Sequence, residues 1–170
     1  MFETPLPQRK STRLRGYDYA APNWFFVTIC VASRRPILGE IVGTEMRLSG
    51  FGRIVERTWL QLPNFYGSIS LENFVVMPNH VHGIVVNGEA RPTSELPQPC
   101  RYSLSEIMRG FKSMSAREIN RHVPEPRALW QRGFYEHIIR DDADLARIRE
   151  YIDTNPVAWA NDPENPDRIV

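Results

Sequence analysis

The chain has 170 residues, of which 42% are hydrophobic and 24% charged, and this composition is typical of one globular domain over residues 1–170. No run approaches the roughly 18 apolar residues of a membrane span, and the amino-terminal segment lacks the apolar centre of a signal peptide, so we expect a cytoplasmic protein without a membrane partner. The net charge of +1 excludes a binder that relies on overall charge, yet residues 1–60 carry nine Lys/Arg against five Asp/Glu and residues 101–140 eight against four.

The first half of the chain predicts strands around one helix. Residues 24–32 (WFFVTICVA) are apolar, β-branched and aromatic, which favours a buried central strand. A hairpin is expected over residues 39–48, and Ser49 is a candidate N-cap for a helix that stops before Pro63. Residues 71–77 and 81–87 are predicted to form two further strands. The segment between them is so short that we expect the two strands to be antiparallel neighbours in the sheet.

The second half predicts two helices and one strand. Residues 88–103 contain three prolines and little periodicity, so we expect a surface loop there. An amphipathic helix with a basic outer face should follow from Leu104, then a strand over residues 133–139. Residues 141–155 suit a final helix that Pro156 ends, and a short tail begins at about 157. This order predicts an α+β fold with an antiparallel sheet and helices on one face.

Two residue pairs carry candidate chemistry. His80 and His82 are two apart on a predicted strand, so both side chains point to one face and can reach one metal ion. Tyr151 and Asn155 are four apart on the last helix, which places a phenol and an amide oxygen on the same helical face. The residues alone also allow a plain reading: a polar strand face, a tyrosine that covers the core and an asparagine at a helix end.

The combination of motifs resembles the REP-associated tyrosine transposases, which are single-tyrosine HUH enzymes. The resemblance rests on FVVMPNHVHGIVV and LWQRGFYEHIIRDDADLARIREYIDTNPVAW, with RLRGYDY and WFFVTIC in support. It implies a ferredoxin-like α+β fold with the histidines on a central strand. It also implies that His80 and His82 are the metal-binding pair, that Asn155 is the third ligand and that Tyr151 is the nucleophile.

The resemblance further implies an enzyme that nicks and joins single-stranded or hairpin DNA with Mg²⁺ or Mn²⁺, through a 5′-phosphotyrosine. Two other functions remain open from the sequence. One is a protein of the same fold that binds a DNA hairpin without cutting it. The other is a zinc hydrolase built on His80 and His82, for which the sequence offers no good third ligand and no general base.

Basic residues are candidates for phosphate contacts, because 19 of the 21 Lys and Arg residues are arginines. The candidates are Arg13, Arg15, Arg34, Arg35, Arg109, Lys112, Arg117, Arg121 and Arg140. We expect a monomer whose site is completed within one chain, with an exchanged last helix in a dimer as the alternative.

Overall fold

The computed structural model describes residues 16–88, 102–162 and 164–166. Six strands lie in this part of the chain: β1 (Asn23–Cys30), β2 (Gly39–Val42), β3 (Glu45–Leu48), β4 (Ile69–Val76), β5 (His80–Asn87) and β6 (Tyr135–Ile139). The helices are α1 (Gly50–Leu60), α2 (Leu62–Phe65), α3 (Leu104–Asn120) and α4 (Asp142–Ala158), with 3₁₀ turns at Ala32–Arg34 and Trp159–Asn161. No helix in the described ranges is long and apolar enough to cross a membrane.

Four strands form an antiparallel sheet in the order β4-β5-β1-β6, while β2 and β3 form a separate hairpin. With α1 and α3 as the two connections, the sheet has the β-α-β-β-α-β arrangement of a ferredoxin-like fold. The expected α+β class, the antiparallel sheet and the order of the elements are therefore confirmed.

Helices cover both faces of this sheet, which differs from the expected placement on one face. Phe25, Val27 and Ile29 of β1 belong to the core that α1 and α3 cover. The alternate residue Phe26 lies in a second cluster with Ile148 and Ile152 of α4. Since successive residues of a strand point to opposite faces, a strand that is apolar throughout offers α4 a surface of its own.

Gly83 shows how tightly α1 packs on β5. A Cβ at this position would lie 2.4 Å from Cζ2 of Trp59 and 3.1 Å from Cβ of Phe74. The absence of a side chain lets the Trp59 indole rest directly on the strand. Its neighbour His82 is then free to face the opposite side of the sheet.

Two predicted boundaries can be compared with the structure. Ser49 accepts a hydrogen bond from the Gly52 backbone and caps α1, as expected, and α1 ends before Pro63. The prediction that Pro156 ends the last helix is wrong, because α4 continues to Ala158. Proline removes one backbone donor to the preceding turn but leaves the following residues free to stay helical for a turn. Most of the predicted loop, residues 89–101, lies outside the described residues.

Candidate metal centre with an adjacent tyrosine

The histidine pair lies at the start of strand β5, on the face of the sheet that α4 covers. His80 pairs with Cys30 and His82 with Thr28 across β1, so both imidazoles lie at the same end of the sheet. Their rings are 4.4 Å apart between centroids, and both are buried. Nitrogen atoms of His80 and His82 and a carboxylate oxygen of Asp162 all lie within 4.8 Å of one another, a spacing that one metal ion can bridge.

Neighbouring side chains orient both rings towards a common point. Nδ1 of His80 lies 2.8 Å from the amide oxygen of Asn79, which can only accept, so Nδ1 carries the proton and Nε2 keeps its lone pair. Nδ1 of His82 lies 2.8 Å from the Thr28 hydroxyl, which directs Nε2 of this ring to the site as well. Such partners fix the tautomer and the orientation of metal-binding histidines.

Both imidazoles are held in the neutral form. Burial lowers the pKa of His80 to about 4, although Asp162 and Asn155 oppose that shift. Burial also lowers the pKa of His82 well below its usual value, and the nearby His80 adds to this effect. A neutral imidazole is the form that binds a metal ion, so neither ring must lose a proton first near neutral pH.

Helix α4 brings Tyr151 and Asn155 to the histidines. Asp141 caps the helix by accepting from the Asp144 backbone, and Ile148 and Ile152 bury its apolar stripe. The Tyr151 hydroxyl lies 3.3 Å from Nε2 of His82, and Tyr151 as a residue is 44% exposed. Asn155 is 1% exposed.

Two buried atoms of this cluster have no hydrogen-bond partner among the described residues: Nε2 of His80 and the amide oxygen Oδ1 of Asn155. Leaving such atoms unpaired costs about 1–3 kcal/mol each. A bound cation would remove this cost, because an imidazole nitrogen with a free lone pair and an amide oxygen can both coordinate a metal ion. The structure therefore brings together the four residues that the sequence singled out, His80, His82, Tyr151 and Asn155.

The sequence did not single out Asp162 and Glu164, which follow the last helical turn. Asp162 accepts from the Asn155 amide at 3.2 Å and from the Glu164 backbone at 2.6 Å. Asn79 donates to the Glu164 carbonyl at 2.7 Å and so ties this segment to the start of β5. The one sequence signal was the acidic excess of residues 141–170, which does not single out a position.

The Tyr151 hydroxyl is not acidic in this setting. Burial raises its pKa, the Asp162 carboxylate raises it further, and the Asn155 amide opposes the shift. The phenol therefore keeps its proton near neutral pH. Any role as a nucleophile requires a positive charge or a proton acceptor beside it.

Contacts with β4 fix the register of α4 on the sheet. Arg149 pairs with Glu72 at 2.7 Å, and Asn73 donates to Asp153 at 3.0 Å. Glu72 and Asn73 lie on β4 between Leu71 and Phe74, where the pairing register of β4 with β5 shifts. Because Arg149 and Asp153 flank Tyr151 by two residues on either side, these contacts hold the tyrosine over His82 within a single chain.

The candidate phosphate contacts fall into three groups. Arg34 lies beside the site, where its guanidinium pairs with Glu164 at 3.0 Å. Exposed arginines on α3 and at its C-cap lie across the sheet from the site, and these are Arg109, Arg117 and Arg121. Arg140 is exposed just before α4, and Arg35 is half-buried, while Arg13 and Arg15 lie outside the described residues.

Lys112, the remaining candidate, contacts backbone carbonyls of the chain itself. Its ammonium donates to the carbonyls of Gln131 and Gly133 at 2.6 and 2.8 Å, and burial lowers its pKa. Trp130 is likewise a core residue, whose indole donates to the Ser115 hydroxyl. These contacts hold the segment before β6 against α3.

Comparisons with known proteins identify the family of this chain. The family described as "Transposase IS200 like" matches residues 64–155, which include the histidine pair, Tyr151 and Asn155. A Haemophilus influenzae protein without an assigned function is 33% identical over 95% of both chains. Another H. influenzae protein, provisionally named a REP-associated tyrosine transposase, is 32% identical over 48% of this chain and 46% of its own length.

Among solved structures, a REP-associated tyrosine transposase bound to a REP hairpin is similar in fold. It aligns with a TM-score of 0.60 and 21% identity over 90% of this chain and 81% of its own. The family match covers more than half of the 170 residues. This chain therefore belongs to the IS200-like transposases, the family to which the REP-associated tyrosine transposases are related.

Proposed function

We propose that this transposase is a divalent-metal-dependent enzyme that nicks and rejoins single-stranded, hairpin-containing DNA through a 5′-phosphotyrosine at Tyr151. One observation carries the proposal: the Tyr151 hydroxyl lies 3.3 Å from Nε2 of His82, at the edge of a buried cluster of metal ligands. The similar transposase that was solved with a REP hairpin supports hairpin DNA as the substrate.

The residues present fit a divalent cation. They offer two neutral imidazole nitrogens, the unpaired amide oxygen of Asn155 and a carboxylate oxygen of Asp162. Two oxygen ligands, one of them anionic, favour Mg²⁺ or Mn²⁺ more than an all-imidazole set would. When bound, such an ion polarises a phosphate oxygen and lowers the pKa of a phenol beside it.

The reaction balances with the groups of this chain and the DNA alone. The Tyr151 oxygen forms a bond to phosphorus while the bond from phosphorus to the 3′ oxygen breaks, and the phenolic proton ends on that leaving oxygen. The products are a 5′-phosphotyrosine and a free 3′-OH. Because the phosphodiester is conserved, a 3′-OH from another strand can reverse the step and join two ends.

Asp162 also bears on the zinc hydrolase that the sequence left open. The sequence offered neither a good third ligand nor a general base for that function, and Asp162 is a candidate for the missing ligand. The family match and the position of Tyr151 favour the transposase, since a hydrolase that uses water has no need of a phenol at this point.

The test is cleavage of end-labelled DNA hairpins with single-stranded flanks, taken from the genome around the gene, in Mn²⁺, Mg²⁺, Zn²⁺ or EDTA. We expect a nick in Mn²⁺ or Mg²⁺ that leaves a 3′-OH, and no nick by Tyr151→Phe, which should still bind. Binding without a nick by the wild-type protein in every ion would identify a hairpin-binding protein. Cleavage by Tyr151→Phe at the wild-type rate would identify a hydrolase.

A further inference from the structure

A cavity of about 410 Å³ lies beyond the end of β1, on the opposite side of the sheet from the histidines. Its volume falls within the range of about 300–1,000 Å³ for small-ligand sites. The walls are mainly apolar, with three charged residues among them: the lining includes Ile37, Phe51, Val123, Arg35, Arg127 and Glu125.

The cavity and the metal centre share one end of the sheet. Asn79, which orients His80, also donates to the Arg34 carbonyl at 3.0 Å. The next residue along the chain, Arg35, lines the cavity. One short segment therefore contacts the site with Arg34 and the cavity with Arg35.

The backbone of this segment is unusual. Ser33 and Arg34 both have positive φ angles, 58° and 52°, which residues with a side chain seldom adopt. Such a conformation persists only where surrounding contacts hold it, and here Asn79 and Glu164 hold Arg34. The strained turn keeps consecutive arginines at the site and at the cavity.

The far wall of the cavity is pre-formed. Asn120 at the end of α3 donates to the Arg127 carbonyl and accepts from the Arg127 backbone, both at 3.2 Å. These bonds brace the loop that carries Val123 and Arg127. The Arg127 guanidinium pairs with Glu125 at 2.8 Å and is otherwise exposed, so it can turn to a phosphate.

We propose that this cavity binds an unpaired nucleobase of the DNA strand whose backbone passes Tyr151. The inference rests on the proposed function, because it takes single-stranded DNA to be the substrate. Apolar walls with an aromatic ring accept any base face, and Arg35 and Arg127 match the flanking phosphates in charge.

The experiment compares two fluorescent probes of equal charge: a 12-nucleotide oligo-dT and a 12-unit abasic strand. Binding is measured by anisotropy to the full chain in a Tyr151→Phe background, which prevents cleavage. Val123→Trp fills the cavity, Arg35→Gln with Arg127→Gln removes its charge, and Val42→Trp on β2 is the matched control. Heteronuclear NMR spectra verify that each variant is folded.

We expect Val123→Trp to weaken oligo-dT binding about tenfold, the typical effect of losing one stacked base, and to leave the abasic strand unaffected. The arginine pair should weaken both probes and flatten their salt dependence. If folded Val123→Trp binds oligo-dT as the control does, or weakens both probes equally, the cavity holds no base. Since no cleavage is measured, a failure of the nicking chemistry does not affect this result. If neither probe binds, the cavity proposal is overturned, whereas the proposed function is overturned only by its own test on hairpin DNA.

Discussion

At the level of single residues, the histidine site is defined by what orients each ring. Asn79 and Thr28 each occupy one Nδ1, so both Nε2 atoms face the tyrosine and the amide. The sequence predicts the ligand pair because alternation along a strand is a local property. Asp162 could not be predicted in this way, because it meets His80 only after the chain has folded through α4 and a 3₁₀ turn.

Asp162→Asn should lower Mn²⁺ affinity by at least about tenfold, because it removes the anionic ligand while keeping the side-chain shape. The free energy of unfolding should fall by only about 1 kcal/mol, since one hydrogen bond is lost. Titration of Mn²⁺ followed by electron paramagnetic resonance measures the affinity. The control is Asp142→Asn, because Asp142 is exposed in the first turn of α4. An unchanged Mn²⁺ affinity in folded Asp162→Asn would remove Asp162 from the ligand set.

At the level of elements, α4 carries Tyr151 and Asn155 to the histidines of β5. The position of α4 was the least predictable part of the fold. Periodicity shows that Ile148 and Ile152 form an apolar stripe, but it does not reveal which face of a doubly buried sheet the stripe will cover. The expectation of phosphate contacts on α3 also depends on which face each helix covers. In the structure, α3 and Tyr151 lie on opposite faces of the sheet.

The start of α4 should make stability depend on pH. A hydrogen bond from His137 lowers the Asp144 pKa below its ordinary 3.8, with a smaller contribution from Arg147. A lowered carboxyl pKa stabilises the fold above 3.8, and this stabilisation is lost as the pH falls further towards the folded-state pKa. We expect Asp144→Asn to cost up to about 1 kcal/mol near pH 6 and less near pH 3.

Urea unfolding at the two pH values measures this difference. Glu150→Gln, on the exposed side of the same helix, is the matched control and should show no such dependence. An equal cost of Asp144→Asn at both pH values would show that the contact between β6 and α4 does not depend on the carboxylate charge.

At the level of the whole molecule, the four candidate site residues come together in one chain, where the Tyr151 hydroxyl lies 3.3 Å from Nε2 of His82. We expect a monomer, and a mixture of His82→Ala with Tyr151→Phe should cleave no faster than the two variants separately. If protomers exchanged α4, each mixed dimer would regain one intact site. Restored cleavage in the mixture, with a dimer mass in sedimentation, would contradict assembly within one chain.

The proposed function requires that Tyr151 becomes covalently linked to the DNA. The direct measurement is mass spectrometry of the protein after reaction with a cleavable hairpin in Mn²⁺, with the linked peptide sequenced. We expect a mass increase equal to the DNA fragment that keeps the 5′ phosphate, and we expect it at Tyr151. The same adduct should form in a Tyr135→Phe control and be absent in Tyr151→Phe. An adduct on any other residue, or one that persists in folded Tyr151→Phe, would contradict the proposed function.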